Sequence, residues 1–313
     1  MSADTRSTAT ASPRARGGGW LPTTVDRRVR VFAWLSFLAE TIIIGTGGAV
    51  RLTGSGLGCD QWPLCTPGSL VPTPELGVHG LIEFGNRTMT SVVGILALAV
   101  LVLVWRMRSS RRDLFVLALV VLGGIVAQAI VGGITVWTGL NPFVVGFHYV
   151  ASLTLVCATA AFLVRAYSTP GPRELAVPRW YLVLTHITTL VLALTIVFGV
   201  LTTGSGPHSG DDGVVRQGFD ATILAHVHSW PGYALLALVV VLLASSWALR
   251  LPTRRWMVAL LAAIVVQIVV GILQARNGLP APLVGIHMVL AALSAAAFTV
   301  VVLRMKRPSA DAR

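Results

Sequence analysis

Long apolar stretches alternate with short polar ones along the chain, and this pattern predicts eight membrane-spanning helices. A helix needs about 20 apolar residues to cross the hydrocarbon core of a bilayer. The predicted fold class is therefore an all-α integral membrane protein, surrounded by the lipid bilayer. The eight runs cover residues 31–50, 81–104, 114–136, 143–164, 180–202, 222–249, 256–275 and 280–303.

The second half of the chain repeats the first half. The segment QAIVGGITVWTGLNPFVVGFHYVASL resembles QIVVGILQARNGLPAPLVGIHMVLAAL, and in both a Gln precedes a His by 20 residues, as Gln128 to His148 and Gln267 to His287. A TGSG motif also recurs, at residues 53–56 and 203–206. An even number of spans separates the copies, so both have the same orientation. The repeat predicts two tandem four-helix bundles related by a pseudo-twofold axis along the membrane normal.

Loop composition predicts where these bundles begin and end. Residues 1–30 are rich in Ser, Thr, Arg and Gly, which is typical of a disordered tail. The connection at 166–179 contains three prolines and three charges and marks the boundary between the halves. The predicted parts are a tail at 1–30, an N-terminal bundle at 31–165, a linker at 166–179, a C-terminal bundle at 180–303 and a second tail at 304–313.

The basic charge of the chain follows the predicted topology. The formal net charge is +12 at pH 7. With the N-terminus in the cytoplasm, every Lys and Arg falls on the cytoplasmic side except Arg51, Arg87, Arg216 and Arg276. This is the positive-inside distribution of membrane proteins, and it places both termini in the cytoplasm. Because topology accounts for the charge, nucleic-acid binding is not expected.

Three histidines and one asparagine occupy matched positions on the even-numbered helices. They are Asn86, His148, His228 and His287, each roughly 10 Å below the outer membrane surface at 1.5 Å rise per residue. Two imidazoles from facing helices can hold a heme iron, so His228 and His287 are predicted to form a bis-histidine site. The alternative is that each histidine donates to a backbone carbonyl inside the bundle. His226 competes with His228, because only one of the two can face the site.

Two carboxylates and an arginine lie inside or at the ends of predicted spans. Glu83, in LIEFGNR, is either a proton-handling group beside a ligand or the partner of Arg87 in a structural ion pair. Glu40 lies near the middle of the first span, where a packing hydrogen bond and a role in proton movement are equally supported. Arg51 either extends towards the interface or binds a carboxylate of a ligand.

The first outer loop contains Cys59 and Cys65 within GCDQWPLC. The outer side of a membrane is oxidising, so a disulfide is predicted, with two free thiols or a metal pair as alternatives. Metal is disfavoured because no further Cys or His completes a set nearby. Cys157, within the fourth span, is interpreted as a small core residue.

These motifs together resemble the heme A synthase family over most of residues 35–300. The resemblance rests on GGAVRLTGSGLGC, WPLC, LIEFGNR, both Gln-to-His blocks, TTGSGPHSGD and HVHSW. It implies an oxidoreductase of a bacterial plasma membrane that oxidises the C8 methyl of heme O to a formyl group by successive hydroxylations. The product, heme A, is the cofactor of cytochrome oxidase, so the resemblance implies a role in cytochrome oxidase assembly and heme O synthase as a neighbour.

The resemblance also implies roles for particular residues. His228 and His287 would hold a heme b in the C-terminal half, whereas His148 would lie in a substrate heme site in the N-terminal half. Glu83 matches the family's essential, catalytic glutamate beside that substrate site, in which Asn86 and Arg87 would also lie. Cys59 and Cys65 match the family's outer-loop cysteine pair.

One position departs from the family pattern, which commonly has His-Arg where this chain has Asn86-Arg87. An amide is a poor iron ligand, so we expect the N-terminal site to use only His148. Arg51 is a candidate for binding a heme propionate.

Two other functions fit part of this pattern. A di-heme membrane protein that passes electrons from quinol is the main alternative, but both predicted sites lie near one surface. A repeat-built transporter would have its polar positions at the midplane.

Overall fold

The computed structural model describes residues 20–211, 213–214, 216 and 218–309. It confirms a mostly helical protein, and eight of its helices are long and apolar enough to span a membrane. The helices are α1 (Arg27–Leu52), α2 (Gly77–Val104), α3 (Arg112–Trp137), α4 (Pro142–Ala166), α5 (Arg179–Ser205), α6 (Ala221–Ala248), α7 (Arg254–Arg276) and α8 (Ala281–Arg304).

The helices extend past the apolar runs that predicted them, because capping groups are polar. Helix α1 begins at Arg27, since the carboxylate of Asp26 accepts a hydrogen bond from the Val29 amide at 3.1 Å. Residues 27–30 of the predicted N-terminal tail thus belong to α1, and residues 1–19 of that tail lie outside the described part of the chain. Helix α2 begins four residues before its apolar run and follows a single 3-10 turn at Pro74–Leu76.

The first four helices form a closed ring. Helix α1 packs against α2 and along α4, and α3 joins α2 to α4. In the second half α5 packs on α6, α6 on α7 and α7 on α8, but α5 and α8 meet at only a few residues. The halves join where α1, α4 and α8 pack together. The predicted pseudo-twofold axis and bundle boundaries remain predictions.

The short turns after α3 and α7 have the same backbone form, which supports the internal repeat. Gly139 and Leu140 have φ angles of 58° and 57°, and Gly278 and Leu279 have φ angles of 72° and 60°. In each turn the leucine amide donates at 2.8 Å to a carbonyl five residues earlier. Each turn therefore ends its helix in the left-handed conformation and sets the start of the histidine-bearing helix that follows.

The linker and the C-terminal segment pair with each other, which the apolar pattern did not predict. Strand β1 (Arg173–Leu175) pairs antiparallel with β2 (Lys306–Pro308). The Arg307 guanidinium bonds the Glu174 carboxylate at 2.8 Å across this pair. The connection between the halves is therefore bound to the end of α8.

Candidate functional site

Each side chain predicted to lie at matched depth packs against a glycine of the preceding helix. A Cβ atom at Gly47 would lie 3.8 Å from the Asn86 amide oxygen, and one at Gly132 would lie 3.6 Å from Cε1 of His148. The same construction gives 2.8 Å from Gly199 to Cε1 of His228 and 3.2 Å from Gly271 to Cε1 of His287. Glycine at these four places lets the ring or amide lie directly on the neighbouring helix backbone.

The two histidines of the second half face each other. The ring centroids of His228 and His287 are 6.2 Å apart, and the ring planes are at 80°. Nδ1 of His228 lies 2.9 Å from the carbonyl oxygen of Thr195. As the donor in that bond, Nδ1 carries the proton and leaves Nε2 free to bind a metal. His226, on the same helix, is exposed at the surface of the protein.

The spacing of this pair fits an iron between two imidazoles. Metal–imidazole bonds are about 2 Å long and the nitrogen lies about 1 Å from the ring centre, so two ligating rings have centroids about 6 Å apart. The sparse contact between α5 and α8 leaves this half less tightly closed than the first. The residues present therefore fit a bis-histidine heme.

A glutamine fixes the backbone at two of the histidines. The side-chain amide of Gln128 donates to the carbonyl of His148 at 2.7 Å, and that of Gln267 donates to the carbonyl of His287 at 3.0 Å. Gln128 also bonds the hydroxyl of Ser152. The repeated spacing of 20 residues thus corresponds to a repeated contact between neighbouring helices.

Asn86 occupies the place in the first half that His228 occupies in the second. The hydroxyl of Thr46 donates to the Asn86 amide oxygen at 2.7 Å. The amide nitrogen is then the end left to face a ligand, and an amide NH2 group is a donor with no lone pair for a metal. At the two matched positions this half accordingly offers one imidazole, that of His148.

Glu83 and Arg87 form a buried ion pair that holds the cysteine loop. One Glu83 oxygen accepts from the Cys59 amide at 2.7 Å, and the other accepts from Arg87 at 3.1 and 2.5 Å. Arg87 also donates to the carbonyl oxygens of Cys59, Gln61 and Leu64 at 2.7 to 2.9 Å. Both carboxylate oxygens are therefore engaged by the loop and by Arg87, which agrees with the ion-pair interpretation.

The cysteine loop lies over the N-terminal bundle. Cys59 and Cys65 are joined by a disulfide, as predicted, and both are fully buried. The Trp62 ring packs edge-on against Trp137 with centroids 5.2 Å apart, and it lies so close to Gly133 that a Cβ there would overlap it. The loop is therefore anchored to both α2 and α3, next to the helix end that precedes His148.

Arg51 connects the two halves at the end of the protein that carries the cysteine loop. Its guanidinium donates to the carbonyl oxygens of Thr203 and His208 at 2.8 and 2.7 Å. A further bond joins the Gly56 amide to the carbonyl of Gly210 at 2.9 Å. The first TGSG motif thus bonds the loop that follows the second one, and Arg51 lines a polar cavity of ≈ 590 Å³ between these two loops.

The residues that follow the two repeated histidines also bond each other. The hydroxyl of Tyr149 donates to the carbonyl of Met288 at 2.9 Å, across the contact between α4 and α8. This bond connects the backbones next to His148 and His287. A shift of one histidine-bearing helix would be transmitted to the other.

Sequence reasoning missed several of these positions. Gly199, Gly271 and Thr46 carry no signal of their own, because small residues and hydroxyls are common in membrane helices. A search for a glycine opposite each matched position would have found Gly199 and Gly271. The docking of Trp62 had no sequence signal beyond its place beside the cysteines.

Comparison with known proteins gives a family match and a set of relatives. Residues 30–299 match the family described as cytochrome oxidase assembly protein (COX15-CtaA). The chain is 36% identical over 132 residues to a heme A synthase of Lysinibacillus sphaericus, covering 41% of each chain. For a heme A synthase of Geobacillus kaustophilus the identity is 33% over 133 residues, 41% of this chain and 40% of the relative. For one of Listeria welshimeri it is 29% over 136 residues, 43% and 44%. The matched segment spans less than half of each of these curated relatives.

Proposed function

Because the chain belongs to the COX15-CtaA family of cytochrome oxidase assembly proteins, we propose that it oxidises the C8 methyl of heme O to a formyl group and so makes heme A. The conversion replaces two C–H bonds of the methyl group by one C=O bond, so an oxygen donor such as water supplies the oxygen atom, an external electron acceptor takes the released electrons, and the protons leave to water. The observation that carries the proposal is the set of four matched side chains that each pack against a glycine: Asn86, His148, His228 and His287. They provide one ligand site in each half. The relatives named heme A synthase support the same activity.

The C-terminal half is the proposed resident cofactor site. His228 and His287 would hold heme b, which when bound supplies one-electron transfer. The Thr195 carbonyl keeps Nε2 of His228 unprotonated, and Gln267 fixes the backbone at His287. These contacts hold the ring of His228 and the backbone that carries His287 in place before any ligand binds, which favours tight binding.

The N-terminal half is the proposed substrate site. His148 would bind the substrate iron on one side, and Asn86 presents an amide donor at the matched place on α2. With a single imidazole, the substrate is held less tightly than a bis-histidine heme. A substrate and its product must be released, so weaker retention suits this half.

Glu83 and Arg87 act on this site through the cysteine loop. The carboxylate accepts hydrogen bonds on both oxygens, so it serves as a fixed anion and not as a proton donor. Together the pair positions the loop over the N-terminal bundle, where it excludes water from the reacting methyl group. Arg51, which holds the second outer loop, is proposed to bind a propionate through the rest of its guanidinium.

The same reasoning assigns the surroundings. We place the protein in a bacterial plasma membrane with both termini in the cytoplasm, on the strength of the positive-inside distribution. Both sites then lie near the outer surface. An enzyme that farnesylates heme must supply the substrate, and assembly of cytochrome oxidase uses the product.

Expression in a host that makes heme O but no heme A tests the proposal. Extracted hemes should include heme A and its hydroxylated intermediate, and Glu83→Gln should stop conversion while leaving heme b bound. Bound heme b without heme A or any intermediate would refute the proposed oxidation and favour the electron-transfer alternative. A preparation without heme absorbance despite ample heme supply would refute both.

A further inference from the structure

Glu40 is an ionisable residue at the centre of the N-terminal bundle that the proposed function leaves unused. It lies midway along α1 and is 2% exposed. Its Oε1 atom is buried and has no hydrogen-bond partner, and no ion pair to Glu40 occurs within the described residues. Burying a carboxyl among apolar helices without a partner is energetically costly, so such a group calls for a functional explanation. The packing hydrogen bond that would account for it is not found among these residues.

A water-sized cavity lies one helical turn from Glu40 on the same face of α1. Ser36 precedes Glu40 by four residues, so the two side chains are neighbours on the helix. Ser36 and Thr159 line a cavity with a volume of ≈ 10 Å³, about what one water molecule needs. The rest of the lining is apolar: Ala33, Ala97, Val100, Ala118, Val121 and Phe162. The two hydroxyls give such a water polar partners towards the cytoplasmic end of the bundle.

The same face of α1 leads in the other direction to the substrate site. Gly47, which contacts Asn86, follows Glu40 by seven residues, two turns and about 10 Å along the axis. On α4, His148, Ser152 and Thr159 share one face in the same way. Polar groups therefore follow one line through this bundle, with Glu40 between the cavity and the Asn86–His148 site.

We propose that Glu40 is a proton-transfer residue of the N-terminal bundle, which exchanges protons between water in the Ser36–Thr159 cavity and the substrate site. The O–H bond of the protonated carboxyl breaks as a water molecule takes the proton, and it forms again in the reverse direction. This inference rests on the proposed function, because oxidation of a methyl group releases or consumes protons whatever the source of oxygen. Glu40 acts through water and does not touch the reacting atoms.

At the positions matched to Glu40 and Thr159, the described second half has apolar residues. The spacing between the TGSG motifs matches Glu40 to Leu190, whose side chain is 61% exposed at the surface of the helix bundle. The spacing between the Gln-to-His blocks matches Thr159 to Phe298, which is buried in the core. The proposed proton path thus belongs to the half that is proposed to carry out the oxidation, and these two positions do not repeat it in the other half.

No charged neighbour explains the carboxyl. The helices packed against α1 are α2, α4 and α8. None of their titratable side chains makes an ion pair or hydrogen bond with Glu40 in the described structure. They are His79, Glu83 and Arg87 on α2, His148, Tyr149, Cys157 and Arg165 on α4, and His287 and Arg304 on α8.

Conversion of heme O by purified variants tests the role in turnover. Glu40→Gln keeps the shape but cannot ionise, and it should slow conversion at least about tenfold while heme b stays bound. Glu40→Asp should recover part of the rate. Asp113→Asn, which removes a carboxylate bonded to Arg111 at the end of α3, is the control and should stay within about twofold. Wild-type conversion by Glu40→Gln would overturn the inference.

Infrared spectroscopy tests the inference even if the chain makes no heme A. The full-length protein should show a carboxylic acid C=O band that shifts rapidly in D2O and is missing from Glu40→Gln. Ser36→Val, which fills the cavity, should slow that shift. Absence of a band attributable to Glu40, or exchange at an unchanged rate in Ser36→Val, would overturn the path whatever the outcome for the proposed function.

Discussion

The two halves share the contacts that position a histidine on their last helix, and they differ in the residue that faces this histidine. In each half a glutamine bonds the backbone of a histidine on the last helix, and a glycine backs that histidine. At the matched place on the second helix, however, the N-terminal half has Asn86 and the C-terminal half has His228. A duplicated scaffold can therefore give one half two facing imidazoles and the other half a single imidazole opposite an amide.

The surroundings of the two sites differ in the same direction. In the first half α1 packs along α4, and the cysteine loop is bonded over the bundle by Glu83 and Arg87. The positions matched to these two residues in the second half are Ala225 and Ser229, which cannot hold such a loop. The bonded covering loop and the buried carboxyl groups of Glu40 and Glu83 thus belong to the first half, and the described residues at the matched positions of the second half have no such groups.

Removing a ligand from the second half should give the largest effect. His287→Ala and His228→Ala should each abolish most of the b-type heme absorbance of the purified protein, because neither ring has a substitute within reach. His148→Ala should keep that absorbance, and so should His226→Ala, whose side chain is exposed two residues from His228. The measurement is the visible spectrum with extracted heme quantified per chain. Loss of heme b in His226→Ala but not in His228→Ala would reverse the assignment.

Breaking the Glu83–Arg87 pair, which holds the cysteine loop, should destabilise the first half alone. Arg87→Ala leaves Glu83, whose side chain is 7% exposed, as an unpaired buried charge, which typically costs about 3–5 kcal/mol. Chemical unfolding in detergent measures the loss, and heme b should remain bound. Ser229→Ala is the matched control, because the half-buried Ser229 hydroxyl donates to the Ala225 carbonyl of its own helix and carries no charge. Equal losses from the two variants would remove the contrast between the halves.

The glycine contacts predict a graded effect on ligand retention. Gly199→Ala brings a Cβ to 2.8 Å from the His228 ring, so the ring must move, and overpacking of this kind costs about 1–3 kcal/mol. Gly271→Ala, at 3.2 Å from the His287 ring, should cost less. Gly132→Ala, at 3.6 Å, has ordinary contact distance and should leave heme b unchanged. Heme b retained after dialysis gives the order, and a different order would contradict the geometry.

Giving the first half a second imidazole should make the halves more alike. Asn86→His should raise the heme retained at the N-terminal site by about tenfold, since a second ligand closes the open side of the iron. The expected readout is a second six-coordinate heme in the electron paramagnetic resonance spectrum. Asn86→Gln is the control and should give none. An unchanged spectrum for Asn86→His would show that the side chain at position 86 does not face the bound iron.

Much of the fold follows from the order of residues. Apolar runs gave all eight helices, because a span long enough to cross a bilayer is a local property. The internal repeat predicted the matched positions of the three histidines and Asn86. The Gln-to-His spacing corresponds to a hydrogen bond in both halves. Helix ends were less accurate, as at α1, because Asp26 caps the helix outside the apolar run.

The candidate site could be predicted only in part. Asn86, His148, His228 and His287 were found by alignment of the chain with itself. The use of Glu83 was left open between two interpretations, because sequence cannot show that both its oxygens bond the loop at Cys59 and Arg87. The β1–β2 pair joins segments at opposite ends of the second half, and nothing in either segment signals the other.

The sequence by itself determined the spans, their repetition and the predicted depth of the three matched histidines and Asn86, since all three follow from spacing along one chain. The tertiary structure alone decided that His228 and not His226 faces His287, and that Glu40 lies beside a water-sized cavity. It also decided that Arg51 bonds the second outer loop. These depend on the rotation of one helix against another, which is set by close packing across the bundle and leaves no local pattern.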